Sequence, residues 1–267
     1  MIRNSFVFLE SIRSGKEKVL WKQGIHDWQD FLQTKSIRGI APEKKGYFDR
    51  KLHEAQTALL EENSAYFLGK LPTKEMWRLY DTFRDACGFL DIETDGYGRI
   101  VIVSLSDYFT TKTFVRGVNL EKELLEKELR RYKLLVTFNG AAFDLRKLKR
   151  QYSVGLNVPH IDLKPLCSKL GWNGGLKEVE KMLNLRRPEH LYLSPVELWE
   201  QFLASGDKEV LERLIAYNAE DVENLKAVLE RAAKELWNKI YKDARAPASH
   251  AGESKNNPLG SAGKSGL

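Results

Sequence analysis

Two acidic residues end an apolar stretch at residues 88–94, and they are separated by one residue. Side chains at alternate positions of a strand lie on one face, so Asp91 and Glu93 should project together. Carboxylates held this close repel each other unless a cation lies between them. Their hard oxygen ligands suit Mg²⁺ or Mn²⁺. The alternative is a solvated strand end that enters the turn at residues 94–96.

A third acid, Asp144, follows a second apolar stretch that ends in Asn139 and turns into a helix. Asn139 is a good N-cap candidate, which would place Asp144 in the first helical turn. The helix dipole favours a carboxylate there, and the small Ala141 and Ala142 allow close packing beside the neighbouring strand end. The alternative is an aspartate that only stabilises its helix.

Tyr217 and Asp221 form the third element, four residues apart in a helical pattern. This spacing brings a phenol and a carboxylate to one face of a helix. A tyrosine with its ordinary pKa of about 10 is a poor base at neutral pH, but near metal ions its hydroxyl can orient or deprotonate a water. The alternative is a core tyrosine followed by an aspartate that caps a new helix.

Taken in order, the three elements resemble the motifs of the DEDD 3′→5′ exonucleases of the ribonuclease-H-like superfamily, and the Tyr-x-x-x-Asp spacing resembles their tyrosine subtype. The resemblance implies that Asp91, Glu93, Asp144 and Asp221 hold two Mg²⁺ or Mn²⁺ ions. It also implies that Tyr217 assists the attacking water and that nucleoside 5′-monophosphates are released one at a time.

Within that class the chain resembles the YprB-type branch over residues 86–236. The resemblance lies in residues 89–94, 138–140, 160–163 and 175–180. Members of that branch often carry His at the position of Tyr217, so the resemblance leaves open which group assists the water. His160 could approach the site or serve as a hydrogen-bonded structural residue.

The composition favours a polyanionic partner, since 43 Lys and Arg outnumber 37 Asp and Glu and the pI is about 9.1. We expect a nucleic acid, DNA rather than RNA, with single strands preferred. An RNA exonuclease, a structure-specific endonuclease on the same fold and a catalytically silent nucleic-acid-binding module remain the alternatives. The two cysteines form no metal-ligand pattern, and no signal-peptide pattern or membrane-length apolar stretch occurs, which predicts a soluble cytoplasmic protein without a membrane partner.

The pattern of elements predicts an α/β fold, a ribonuclease-H-like mixed sheet with flanking helices over residues 86–240. Strands are expected at residues 86–92, 99–105, 111–116, 133–138 and 160–163. Helices are expected at residues 120–131, 141–152, 176–183, 195–203, 208–217 and 221–241.

Residues 1–60 predict a small all-α domain of two helix-turn-helix units, joined to the sheet by a helical connector at residues 61–85. The units show a weak resemblance to helix-hairpin-helix elements, and a plain helical bundle with Trp21 and Trp28 in its core is the alternative. The residues expected to contact nucleic acid are Arg13, Lys16, Lys18, Lys44, Lys45 and Asn139. Residues 241–267 are rich in small and polar residues, which predicts a disordered tail.

Overall fold

The protein contains a five-stranded mixed sheet in a computed structural model that describes residues 1–188 and 194–245, with side chains to residue 241. The strands are β1 (Cys87–Thr94), β2 (Ile100–Ser106), β3 (Thr111–Val115), β4 (Leu134–Thr137) and β5 (His160–Asp162). Their order across the sheet is β3-β2-β1-β4-β5. The first three form an antiparallel meander, while β1, β4 and β5 run parallel. The predicted fold class is confirmed.

The ten α-helices of the described chain surround this sheet. They are α1 (Ser14–Lys22), α2 (Trp28–Gln33), α3 (Pro42–Leu60), α4 (Tyr80–Phe83), α5 (Lys122–Leu129), α6 (Asp144–Tyr152), α7 (Leu163–Lys169), α8 (Leu176–Met182), α9 (Pro195–Ser205) and α10 (Lys208–Arg245). Short 3₁₀ helices lie at Ile2–Asn4, Ser64–Phe67, Thr73–Leu79 and Arg84–Ala86. None of the described helices is both long enough and apolar enough to cross a membrane.

Strand β1 lies at the centre of the sheet and separates two layers of core. Leu90 and Ile92 pack with side chains of α5 and α6 on one face. Phe89 packs on the other face, where α10 contributes Val222 and Leu225. Because side chains alternate along a strand, the position of Phe89 places Asp91 and Glu93 on the α10 face.

One long helix, α10, replaces the two helices expected at residues 208–217 and 221–241. Val222, Leu225, Val228 and Leu229 are all fully buried, so a continuous apolar stripe runs past the predicted break. The alternative in which Asp221 caps a new helix is therefore wrong. Tyr217 and Asp221 lie one turn apart on the same helix, as their spacing predicted.

Helix α6 begins later than expected, at Asp144 rather than after Asn139. Asn139 is therefore not its N-cap; it has a φ of 66°, and its carbonyl accepts bonds from the amides of Ala142 and Phe143 in a turn. The next residue, Gly140, has to be a glycine, because a Cβ at this position would lie 2.1 Å from the Thr137 hydroxyl oxygen. Asp144 remains in the first helical turn, as predicted.

The first N-terminal unit is not a helix-turn-helix, because residues 5–13 form turns and α1 starts at Ser14. Side chains 5–9 are all buried, which one face of a surface helix cannot achieve. Glu17 holds the segment in place by accepting bonds from the Ser5 hydroxyl at 2.9 Å and the Phe6 amide at 2.8 Å. Lys16 and Lys18 therefore lie on a helix rather than in a hairpin turn.

The N-terminal helices share a core with the sheet through α10. Trp21 and Trp28 are buried, as predicted, and the Trp21 ring lies 6.0 Å from that of Trp237 and 5.4 Å from that of Tyr241. Lys45 is also buried, pairs with Asp49 at 2.7 Å and lies 5.0 Å from the centre of the Phe31 ring. The prediction that Lys45 contacts nucleic acid is therefore wrong, because its ammonium group is buried and already has these partners.

Two predictions concern the rest of the chain. The connector is helical as expected, with Trp77, Leu79, Tyr80 and Phe83 buried. The predicted tail starts too early, because α10 continues to Arg245, and residues 246–267 lie outside the described part of the chain.

Candidate metal centre

Four predicted acids and Tyr217 line one cleft at the end of β1. We call it the acidic cleft; its volume is about 330 Å³, and it also contains Phe138, Asn139, Phe143 and residues 175–178. Asp91, Glu93 and Asp221 each offer a carboxylate oxygen within 4.8 Å of the other two. Acids from a strand and a helix that are 128 and 130 positions apart thus converge as the motifs predicted.

Asp144 lines the same cleft but is not one of the three acids whose oxygens lie within 4.8 Å of one another. It is 3% exposed, and its Oδ1 accepts a bond of 3.2 Å from the Ile92 amide, which fixes the start of α6 against the strand. Its charge is close enough to raise the pKa of both Asp91 and Glu93. The loop that carries it is held by Asp162, which accepts bonds from the amides of Asn139 at 2.7 Å and Ala141 at 3.2 Å.

The acids of the cleft hold their protons far more tightly than isolated carboxyls. Burial, with the charges of Asp144, Asp221 and Glu93, raises the pKa of Asp91 well above its usual range. Burial and the neighbouring aspartates raise the pKa of Glu93 to about 8. Burial raises the pKa of Asp144 to about 7 and that of Asp221 to about 6, although Arg187 opposes the shift of Asp221. The ionised forms of these acids are therefore unfavourable in the cleft unless a cation compensates for them.

Two residues that the sequence did not indicate hold these acids in position. Asn218 donates from Nδ2 to Asp91 Oδ2 at 2.6 Å, and its buried Oδ1 has no partner within the described residues. The Arg187 guanidinium pairs with Asp221 and, at 2.9 Å, with Glu180. The only feature of the sequence that could have indicated Asn218 is its position next to Tyr217, where it interrupts an apolar stretch. No feature of the sequence indicates a role for Arg187.

Tyr217 lies against two cations at the wall of the cleft. Lys177 Nζ is 4.7 Å from the centre of its ring, and Arg187 Cζ is 5.4 Å away. Burial, followed by the charges of Asp221 and Glu93, raises the Tyr217 pKa above its usual value. The hydroxyl is therefore a weaker acid than a free phenol, and it can orient a water more readily than it can accept that water's proton.

His160 lies outside the acidic cleft and contacts Thr137. Its Nε2 lies 2.9 Å from the Thr137 hydroxyl. Burial lowers its pKa to about 4, so it is neutral at physiological pH. This fits the structural alternative stated for it.

The donor set suits a hard divalent cation. Carboxylate oxygens are the ligands that Mg²⁺ and Mn²⁺ prefer, and a cation would stabilise the ionised forms that burial and neighbouring carboxylates disfavour. The unpartnered Asn218 Oδ1 beside Asp91 is a further acceptor that a hydrated ion could satisfy. The residues present therefore fit a divalent metal site.

A family model of the RNase H superfamily matches residues 88–233, more than half of the 267 residues. The chain therefore belongs to the RNase H superfamily. The matched region contains the five strands except the first residue of β1, together with the four acids and most of α10. No match was found among curated proteins. The fold is thus of a nuclease type, which implies a nucleic acid substrate and a divalent metal.

Proposed function

We propose that this chain is a 3′→5′ exonuclease of the DEDD class and tyrosine subtype that hydrolyses single-stranded DNA to nucleoside 5′-monophosphates. The observation that carries the proposal is the convergence of Asp91, Glu93 and Asp221 within 4.8 Å on an RNase H superfamily fold. Asp144 and Tyr217 in the same cleft match the order of the motifs. The YprB-type branch stays a proposal that depends on residues 89–94, 138–140, 160–163 and 175–180.

Asp91, Glu93, Asp144 and Asp221 would hold two ions, Mg²⁺ or Mn²⁺. When bound, such ions stabilise charge on the phosphate and lower the pKa of a bound water. Asn218 holds Asp91 by its 2.6 Å bond, and Asp144 is held by the Ile92 amide, so two of the ligands are oriented by the chain itself.

Tyr217 and Lys177 act on the substrate side of the cleft. The Tyr217 hydroxyl, kept protonated by its raised pKa, orients the attacking water. Lys177 lines the cleft, and its ammonium group can neutralise a non-bridging oxygen of the scissile phosphate. Asn139, which also lines the cleft, can contact the terminal nucleotide.

The test uses 5′-labelled single-stranded DNA with Mg²⁺ or Mn²⁺. We expect a ladder that shortens from the 3′ end and a circular single strand that resists, because an exonuclease must engage a free terminus. Cleavage of the circle would favour the endonuclease alternative, and preference for the matched RNA strand would favour the RNA exonuclease. Binding without cleavage of any of these substrates would favour the silent binding module.

A further inference from the structure

A second concave surface lies in the N-terminal half, outside the matched family region. It is a groove of about 650 Å³ between residues 7–14, α3 and residues 66–75. We call it the basic groove. Its cationic residues are Arg13, Lys51, Lys70 and Lys74, and its aromatic residues are Tyr47 and Tyr66.

The charge of the groove is positive where it meets solvent. Arg13, Lys70 and Lys74 are exposed, and within the described chain no carboxylate forms a salt bridge with any of these three. Of the two acids in the groove, Glu75 is buried and paired internally with Arg78 at 2.8 Å. Glu10 accepts a bond of 2.7 Å from the Tyr47 hydroxyl. Beside the groove, Glu54 pairs with Lys51 at 2.8 Å, and its charge also interacts with that of Lys70. Arg13, Lys70 and Lys74 are therefore the cations that a polyanion would meet.

The start of α1 adds backbone donors to this surface. Arg13 and Ser14 line the groove, and no side chain caps the helix they begin. The first amides of a helix have no partner within the helix and carry the positive end of its dipole. An uncapped helix start next to an exposed arginine is a favourable place for a phosphate group.

The two tyrosines supply aromatic surface at fixed orientations. Both are half-buried, and the Tyr66 hydroxyl donates to the Lys51 carbonyl at 3.3 Å, while that of Tyr47 bonds Glu10. Lys70 Nζ lies 4.0 Å from the centre of the Tyr66 ring. Because this ammonium lies over the face of the ring, a base that stacks there would displace it toward the adjoining phosphate. Single strands bind in this way, through stacking on aromatic rings and backbone contacts with cations.

We propose that the basic groove is a second binding site for single-stranded DNA, with phosphates at the α1 start, Arg13, Lys70 and Lys74 and with bases stacked on Tyr66 and Tyr47. The choice of ligand rests on the proposed function, but binding at the groove does not require catalysis. The groove holds the part of the strand that lies outside the acidic cleft, so it increases the affinity for long strands.

The test is fluorescence anisotropy with labelled oligothymidine of about 20 nucleotides in chelator, which keeps the acidic cleft inactive. We expect Lys70→Gln/Lys74→Gln to weaken binding about tenfold or more and to lower the slope of log affinity against log salt by about 0.7 for each lost contact. The matched control is Lys127→Gln/Lys208→Gln, which removes two exposed lysines outside the groove and should leave both quantities unchanged.

A second variant separates stacking from charge. Tyr66→Leu should weaken binding about five- to a hundredfold, the range expected when one base loses its aromatic partner, without changing the salt slope. Circular dichroism and melting temperature establish that each variant is folded. For a strand of about 4 nucleotides at saturation, all groove variants should retain wild-type cleavage.

If Lys70→Gln/Lys74→Gln bound the strand with wild-type affinity and wild-type salt slope, the proposal would be overturned. It would also be overturned if the control variant lost as much affinity and salt slope as Lys70→Gln/Lys74→Gln. Failure of the proposed function gives a different result. In that case the wild-type protein binds the long strand through the groove but cleaves no substrate in Mg²⁺ or Mn²⁺.

Discussion

Two clusters of buried charge lie in different halves of the molecule, and they differ in balance. In the N-terminal half, Arg78 is fully buried and pairs with Glu17 at 3.0 Å and with Glu75 at 2.8 Å. Lys169 lies 3.7 Å from Glu75, so two acids face two cations. In this cluster each acid has a cationic partner, although burial raises the pKa of Glu17 and Arg78 Nη2 has no hydrogen-bond partner within the described residues. The cluster holds residues 5–17 against the 3₁₀ helix at Thr73–Leu79.

The acidic cleft has the opposite balance. Four carboxylates and Glu180 face Arg187 and Lys177, and the pKa values of the four are raised. A buried group of like charges is unfavourable unless a cation compensates for it. The comparison indicates that balanced buried charge serves structure in this protein, whereas unbalanced buried charge marks the metal site. Each of the following experiments changes a residue of one of these two clusters or its surroundings.

The largest effect is expected from Asp144→Asn. Replacing one metal ligand should lower cleavage at least a thousandfold while the protein stays folded, because the chemistry depends on the ions that the cluster holds. The control is Asp207→Asn, an exposed aspartate that caps the start of α10 by bonding the Glu209 amide, a role that asparagine can also fill. If Asp144→Asn retained a tenth of wild-type activity, Asp144 would be excluded from the metal site.

Arg78→Met should affect the other cluster, and it should change stability rather than chemistry. Glu17 and Glu75 would lose their buried partner, which typically costs about 3–5 kcal/mol. Chemical denaturation measures this loss, and cleavage per folded molecule should be unchanged at low temperature. Arg84→Met is the matched control, because its pair with Glu230 is exposed and should contribute less than about 1 kcal/mol. Equal stability losses for the two variants would contradict the structural role of the Arg78 cluster.

Tyr217→Phe should lower kcat about ten- to a thousandfold with little change in KM, because one water-orienting hydroxyl acts on the chemical step. Steady-state kinetics on the single-stranded substrate measures both constants. Tyr152→Phe, at the end of α6 and outside the acidic cleft, is the control. If kcat were unchanged, Tyr217 would have only a packing role.

The smallest effect is a pH dependence of stability without metal. In the unfolded chain the acids ionise near pH 4, whereas in the folded protein Glu93 has a pKa of about 8 and Asp144 of about 7. Between these values the folded state binds more protons, so stability falls as pH rises from about 4 to about 8. For a protein of this size each kcal/mol corresponds to about 2–4 °C in melting temperature. In chelator, Glu93→Gln should show a flatter profile than wild type; an identical profile would assign the pH dependence to other groups.

The comparison also explains what could be predicted from the sequence. The spacing of Asp91 and Glu93 on a strand and of Tyr217 and Asp221 on a helix is local, so their faces follow from the periods of those elements. The bond from Asn218 to Asp91 spans 127 positions and that from Arg187 to Asp221 spans 34, and no local pattern encodes either. These partners become visible only when β1 and α10 are packed together.

Predictions of secondary structure from the sequence are wrong where packing overrides local periodicity. The first helix-turn-helix unit was expected to begin with a helix before residue 13, but consecutive buried side chains and Glu17 hold that segment in turns. Helix α7 was missed although Asp162 caps it by accepting from the Lys164 amide, a signal that was present in the sequence. The break expected in α10 was wrong because its apolar stripe is continuous through residue 229.

The most direct test of the central claim is thermal melting of the wild-type protein and of Asp91→Asn, each in chelator and in Mn²⁺. In chelator at a pH above about 8, where Glu93 is ionised, Asp91→Asn should melt higher than wild type, because the change relieves repulsion among the buried acids. Mn²⁺ should raise the melting temperature of the wild type and leave Asp91→Asn almost unchanged, since an ion stabilises only a protein that binds it. A variant that melts lower in chelator and responds to Mn²⁺ like wild type would contradict the metal site.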